Sequence, residues 1–440
     1  MAFVVILLAL CAVCVPLALG ARFGVLPLLS PMHLVGYFCA LGFLAKVVVY
    51  PARPDWAFYA RFVDAPEALL VGAVYLALFV FGICAGYLLA VNRRSTNQPA
   101  SLTQISASKV THPNVLFALA ILVAACTFLA ILRARGMSLS GDVLLQLNSE
   151  KQIDVSAAGV GATLAGVKTL FVVPKCAFVL LLAYGLSRGD RRALWQAMVL
   201  AGLLVFVALV SGDRFELVEL LVYTVLTYLL VGGRNGLGTV LRLGVACAAV
   251  LVLSAYMTVL RGSADGLVQQ IIGSTYFLDV NAAVMVTSTV APHQMLWGES
   301  YSWWGFGWVP RVWWPDKPAV DLGVYFKRDV MGVMTGGAFN VTGPGEAFIN
   351  FGWWGLGVAP VIGAFYRWVE VWLLSATQLL SGGWVVYPLI FYPFIQATLQ
   401  SSFSAFVVGA AAQLLLICLM ISVFLPRYRL ATHEEVAHGV

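Results

Sequence analysis

Eleven predominantly apolar stretches, each near the length of a membrane crossing, limit what this chain can fold into. They fall near 2–20, 31–50, 66–91, 113–132, 164–186, 193–211, 213–231, 240–260, 345–366, 384–400 and 403–425. A helix needs roughly 20 apolar residues to cross a hydrocarbon layer about 30 Å thick. No backbone amide can go unpaired in that layer, so only helices and closed β-barrels cross it. Barrel strands alternate apolar and polar residues, and these runs do not. The expectation is an all-α polytopic membrane protein of about 11 transmembrane helices, one domain over residues 1–440.

Composition removes the competing classes. With 61% hydrophobic and 10% charged residues, the chain is far from the roughly 25% charge of a soluble domain. A net charge of +6, thinly spread, lacks the basic stripe of a nucleic-acid-binding protein. The eight cysteines (11, 14, 39, 84, 126, 176, 247 and 418) all lie in apolar runs, which reads as small buried hydrophobes and not as a disulfide framework in extracellular loops. Residues Met1–Gly20 carry no basic residue ahead of their apolar core, the wrong charge order for a cleaved signal peptide. They read as a first span.

An odd number of spans puts the termini on opposite sides. With the C-terminus cytoplasmic, the inside carries 12 of the 26 basic residues, in compact groups such as Arg93-Arg94 and Arg188-Gly-Asp-Arg191-Arg192. Five of the other 14 lie on or border one long loop, which the positive-inside rule exempts. The expected orientation therefore has a periplasmic N-terminus. That loop, residues 263–344, is the one long connection. It combines a mildly apolar first part with a second part rich in Trp and Gly and broken by Pro310, Pro315 and Pro318. Loops of this length are usually functional.

Nucleotide-binding, Walker, HExxH and GxSxG motifs are absent, and the five histidines are scattered. The sequence therefore points to no metal centre and no cofactor. The outer side is the chemically crowded one, holding 16 of the 20 acidic residues. Among its 14 cations the informative ones are Arg133, Arg135, Arg214, Arg261, Arg311, Lys317, Lys327 and Arg328. Snorkelling to headgroups accounts for any one of them, but their accumulation on this face suits a lipid-linked phosphate or pyrophosphate gripped by guanidinium groups. Asp213, Glu216 and Glu219 share one helical face, with an ion pair to Arg214 or Arg261 as the structural alternative. Glu346, at the start of a span, is a candidate proton acceptor, with Asp279, Glu299 and Asp321 as weaker ones. Six of the 13 tryptophans fall between Trp297 and Trp314. Trp303, Trp304, Trp313 and Trp314, with Glu299, Arg311 and Asn340 near them, could form a stacking platform for sugar rings. An interfacial aromatic belt is the competing reading.

Four sequence elements then fall into a pattern. The stretch Val309-Pro-Arg-Val-Trp-Trp-Pro-Asp-Lys-Pro318 resembles the Pro-x-x-Trp-Pro-x-(Lys/Arg)-Pro segment of Wzy-type oligosaccharide repeat-unit polymerases. Gly212-Asp213-Arg214 opens a middle span and Arg261 closes the span before the loop. Gly345-Glu346-Ala-Phe-Ile-Asn-Phe351-Gly352 resembles that family's Gly-Glu-x-x-x-x-Phe-Gly element. The resemblance covers roughly 205–355; the N-terminal third is similar only in hydropathy. It implies a GT-C-like glycosyltransferase of the bacterial inner membrane, using undecaprenyl-pyrophosphate-linked sugars as donor and acceptor at the periplasmic face. On that resemblance Arg214, Arg261 and Arg311 bind the pyrophosphates, and Glu346 is the base on the acceptor hydroxyl or at least its orienter. A flippase and a chain-length regulator would be its partners, alongside membrane lipids, and no metal would be needed. An O-antigen ligase-type transferase, for which His293 is the one periplasmic histidine at hand, is the nearest alternative. A lipid-linked oligosaccharide transporter or flippase is the other; Lys168, Pro174 and Lys175 within one span are its hints.

Overall fold

The computed structural model describes residues 1–91, 110–134, 169–231 and 267–425, apart from 66, 212–213, 274–276, 308, 310–312, 315–321, 335–338 and 402, with isolated positions at 245, 249 and 252. Among the described residues every regular element is helical. The main helices are α1 (Ala2–Phe23), α2 (Pro31–Val49), α3 (Ala68–Leu89), α4 (Pro113–Ala134), α5 (Val172–Arg188), α6 (Arg191–Ser211), α7 (Arg214–Leu230), α8 (Val280–Thr289), α9 (Thr342–Phe351), α10 (Val358–Leu373), α11 (Tyr392–Gln400) and α12 (Phe403–Phe424). Seven described stretches are long and apolar enough to cross a membrane. They comprise α1, α2, α3, most of α4, α5 with the turn before it, α6, and the 32 residues Thr342–Leu373. The chain is thus a helical polytopic membrane protein. The stretch expected at 240–260 lies outside the described residues but for three positions.

Local chemistry sets the ends of these elements. Gly189, at φ +67°, closes α5 in the left-handed conformation that glycine adopts without penalty. Asp190 then caps α6, its Oδ1 accepting from the amides of Arg192 and Ala193. So tight a turn makes α5 and α6 antiparallel. The seven described cysteines are all unpaired.

One expected span is broken and another changes its winding. The run at 345–366 does not form one straight rod. α9 stops at Gly352, at φ +57°, and a 3₁₀ turn over Gly352–Gly357 leads into α10. A Cβ on Gly355 would overlap the Ala347 carbonyl, so the chain doubles back. At 1.5 Å per residue, the ten residues of α9 reach only about 15 Å, half a bilayer. Hydropathy is continuous across Gly352, which is why the break is invisible in it. The run at 384–400 is continuously helical but changes winding, from a 3₁₀ turn at Gly383–Val385 through a π-helical turn at Tyr387–Phe391 to α11.

α3 is the hub. Tyr75, Phe79, Ile83 and Tyr87 are buried along it. It crosses α10 where Gly82 and Gly86 meet Ala359, Pro360 and Gly363. This is the small-xxx-small contact by which membrane helices approach backbone to backbone. Within 263–344, residues Leu278–Val286 are all buried. The Leu278 backbone lies on Gly42, in the π-helical turn of α2, and Val284 lies on Gly72 of α3. Part of this long segment is therefore packed inside the bundle.

Candidate functional site

The Trp-rich segment is fastened to α9 at its first residues. The last carbonyls of a helix have no partner within it. Here the amides of Leu296 and Trp297 donate to the Ile349 and Asn350 carbonyls at 3.0 and 2.9 Å. Asn350 Oδ1 accepts from the Gly298 amide, and its Nδ2 donates to Ser300 Oγ at 2.7 Å. Ser300 Oγ in turn donates to Glu346 Oε1 at 2.9 Å. Glu346 Oε2 accepts from the Phe403 amide at 2.7 Å, at the first turn of α12. The carboxylate is 1% exposed, so it fastens three elements together and offers no open edge to a sugar hydroxyl. The Tyr301 phenol beside it is pushed well above its usual range by burial and then by the Glu346 charge.

The four tryptophans named above part company here. Trp303 is 5% exposed and belongs to the core, so it cannot stack a ligand ring. Trp304 and Trp314 are open, and Trp313 is 76% exposed. Trp314 leans on Phe306 at 5.7 Å between ring centres. Adjacent residues in a helical turn point roughly 100° apart, enough to put Trp303 in the core and Trp304 in the open. Trp303→Ala is therefore expected to lower stability by about 3–5 kcal/mol, as loss of a buried large aromatic does. Trp313→Ala should leave the unfolding temperature unchanged. Thermal unfolding of the two variants in detergent checks this, and equal stability of both would refute the assignment.

The carboxylates also separate. Glu299 is exposed at the start of its short helix. Asp279 is fully buried, caps α8 through the amides of Asn281 and Ala282, and pairs with the equally buried Lys46 of α2. That pairing removes Asp279 from the list of available bases. Asp321 lies outside the described residues.

Among the cations, Arg133 is exposed at the end of α4. Arg214 opens α7, but its side chain lies outside the described residues, as do Arg135, Arg261, Arg311 and Lys317 altogether. Lys327 is buried with its ammonium 5.2 Å from the Phe339 ring centre. Arg328 forms a bidentate pair with its neighbour Asp329, both bonds at 2.9 Å. Asn340 Oδ1 accepts from the Thr342 amide. Lys327 and Arg328 are therefore engaged within their own segment.

Glu216 and Glu219 do share a face. Among the described residues they pair with Lys175 of α5, at 3.2 and 2.8 Å; the Arg214 side chain and Arg261, the expected partners, lie outside the described residues. Tyr223 adds a 3.0 Å bond to Glu219. Lys175 and Glu216 stand in the first turns of α5 and α7, so those two helices run parallel. A further cluster was not anticipated at all. Arg367 and Tyr87 both bond Glu370 Oε2, at 3.0 and 2.6 Å, and the Val25 amide bonds Oε1. The signal available was Arg367 and Glu370, three apart within an apolar run.

Comparison with family models, with curated proteins and with solved structures finds no match to this chain.

Proposed function

We propose that the chain is a membrane glycosyltransferase of the bacterial inner membrane that polymerises undecaprenyl-pyrophosphate-linked oligosaccharide repeat units at the periplasmic face and releases undecaprenyl pyrophosphate. One observation carries the reading. The Gly345–Gly352 element is joined to the start of the Trp-rich segment by the Glu346–Ser300–Asn350 bonds, with three open tryptophans beyond them. Trp304, Trp313 and Trp314 then supply ring faces for the sugars. Glu346 orients the segment. Glu299, the exposed carboxylate beside it, takes the acceptor hydroxyl's proton. Arg214, Arg261 and Arg311 hold the pyrophosphates, where charge develops on the leaving group. The substrates are lipid-linked donor and acceptor, delivered by a flippase, with a chain-length regulator as partner. In this reading the N-terminus is periplasmic and the C-terminus cytoplasmic.

Purified protein in liposomes, given a lipid-linked repeat unit in the presence of EDTA, should yield a ladder of products. Arg214→Ala and Arg261→Ala should each abolish the ladder while leaving single units intact. Glu299→Gln should slow it by roughly 10²–10⁴-fold, the usual size of a general-base contribution. A ladder that persists in both arginine variants would sink the pyrophosphate assignment.

A broken span and buried ion pairs favour one second reading, transport of the lipid-linked sugar. Discontinuous helices and paired intramembrane charges are what transporters use at their binding sites. Movement of labelled lipid between leaflets with no ladder would select it.

A further inference from the structure

We propose that Trp297 stacks the sugar ring at the acceptor end of the substrate and sets its hydroxyl beside Glu299; this rests on the glycosyltransferase reading and assigns a residue to the acceptor within it. A conflict between side chain and backbone carries the inference. Trp297 and Gly298 have φ of +47° and +93°, and the Glu299 amide donates to the Leu296 carbonyl at 2.9 Å. Two positive φ values under such a bond are the mark of a type I′ turn, whose first central position is normally Asn, Asp or Gly. A tryptophan there is strained, because its Cβ crowds its own backbone. Four other non-glycine residues among the described ones share that sign of φ, and none is as large.

The surroundings hold this turn firmly, yet they make no use of the indole. Three successive amides, of Leu296, Trp297 and Gly298, donate to the end of α9, at the Ile349 and Asn350 carbonyls and Asn350 Oδ1. Phe351 packs on Gly298, its ring 3.2 Å from where a Cβ would stand. The indole is 69% exposed, and no hydrogen bond, ring contact or cation engages it among the described residues. Strained backbone persists where its surroundings over-determine it, and such positions cluster at ligand clamps. A residue kept against the local turn chemistry, with no packing to explain it, marks a functional position.

The neighbouring chemistry selects the ligand. A pyranose offers an apolar face of C–H groups to an aromatic ring and hydroxyls at its edge. Trp297 supplies the ring, and Glu299, exposed two residues further on, supplies an acceptor for a hydroxyl. Chain connectivity alone keeps their Cα atoms within about 7.6 Å, the scale of one sugar unit. A lipid headgroup is the competing occupant, since indoles gather at membrane interfaces. A carboxylate beside the ring repels a lipid phosphate, and an interfacial anchor needs no strained turn to present it.

The test pairs binding with stability in the full chain, purified in detergent. Its probe is the repeat-unit glycan freed from its lipid by mild acid, followed by saturation-transfer NMR. Asparagine suits this turn position better than tryptophan, so Trp297→Asn should hold or raise the unfolding temperature. The same variant should bind the glycan about tenfold more weakly, the size of one lost ring contact. Trp297→Tyr, which keeps a ring, should retain most of the binding. In liposomes the Trp297→Asn ladder should shorten at low substrate and recover at saturating substrate, which a structural defect would not do. A wild-type ladder with glycan binding unchanged in Trp297→Asn overturns the inference and leaves polymerisation standing. Glycan binding lost in Trp297→Asn, with no ladder from the wild type, keeps Trp297 as a sugar site and overturns polymerisation. No glycan binding by the wild-type chain overturns the inference whatever the ladder shows. A fall in unfolding temperature alongside the lost binding overturns it too, because the indole would then be a packing residue.

Discussion

Gly363→Leu is expected to leave no folded protein. At the crossing of α3 and α10 a Cβ on Gly363 would overlap the Ile83 carbonyl oxygen, and one on Gly86 would overlap that of Pro360. Both obstacles are backbone, so no rotamer change can make room. Gly82 stands against Ala359 at 2.8 Å from its would-be Cβ, which extends the contact over a full turn. Separating the helices would strip the packing from Tyr75, Phe79 and Tyr87, all fully buried on α3. Overpacking of a tight core commonly costs about 1–3 kcal/mol where side chains can yield; here they cannot, and the loss should exceed that. Gly363→Ala should already destabilise, because the offending atom is the Cβ itself. Gly357→Ala is the control, since nothing lies within 4 Å of that position. Size-exclusion chromatography in detergent checks all three, and a monodisperse Gly363→Leu peak would refute the crossing.

The second large effect concerns Lys46 and Asp279. Both side chains are fully buried and bonded to each other. Removing one partner of a buried pair strands the other's charge, at a cost of about 3–5 kcal/mol. Lys46→Met and Asp279→Asn should each lose about that much, the latter keeping the side-chain oxygen that caps α8. The double variant Lys46→Met/Asp279→Asn removes both charges, keeps a side-chain oxygen for the Asn281 amide, and should recover most of the loss. Replacing both members of such pairs by neutral groups is often nearly free. A double-mutant cycle on unfolding temperatures measures the coupling. Independent, additive effects of the two sites would show that the pair carries no stability.

What the sequence disclosed follows from what a one-dimensional pattern can hold. The apolar runs of α1, α3, α4 and α12 were legible because burial in lipid demands a residue type at every position of a span. The break at Gly352 was not, because a turn between two apolar helices changes backbone angles and leaves hydropathy untouched. Gly82-Ile-Cys-Ala-Gly86 was a readable small-xxx-small signal, and its partner at Ala359–Gly363 stood in a stretch assigned to the same broken span. Pairings across the fold were hidden. Lys46 and Asp279 are 233 residues apart, and nothing in either neighbourhood announces the other. At the candidate site, Glu346 stands out in the sequence as a carboxylate at the start of a span, but its 1% exposure comes with bonds to Ser300 and Phe403, on elements distant in sequence. The split between Trp303 and Trp304 needed the turn geometry itself.

The distance between Lys46 and Asp279 has a consequence for how the chain is made. Ribosomes add about 5–20 residues per second, so roughly 10–50 s separates the emergence of the lysine from that of its aspartate. Throughout that interval α2 carries an ammonium with no counter-charge from Asp279. The helix must therefore wait at the edge of the insertion machinery, or ride with its lysine drawn up toward the headgroups, until Leu278 and Asp279 slide onto Gly42. Final docking of α2 is then a late event in biogenesis, although it is the second element to be synthesised.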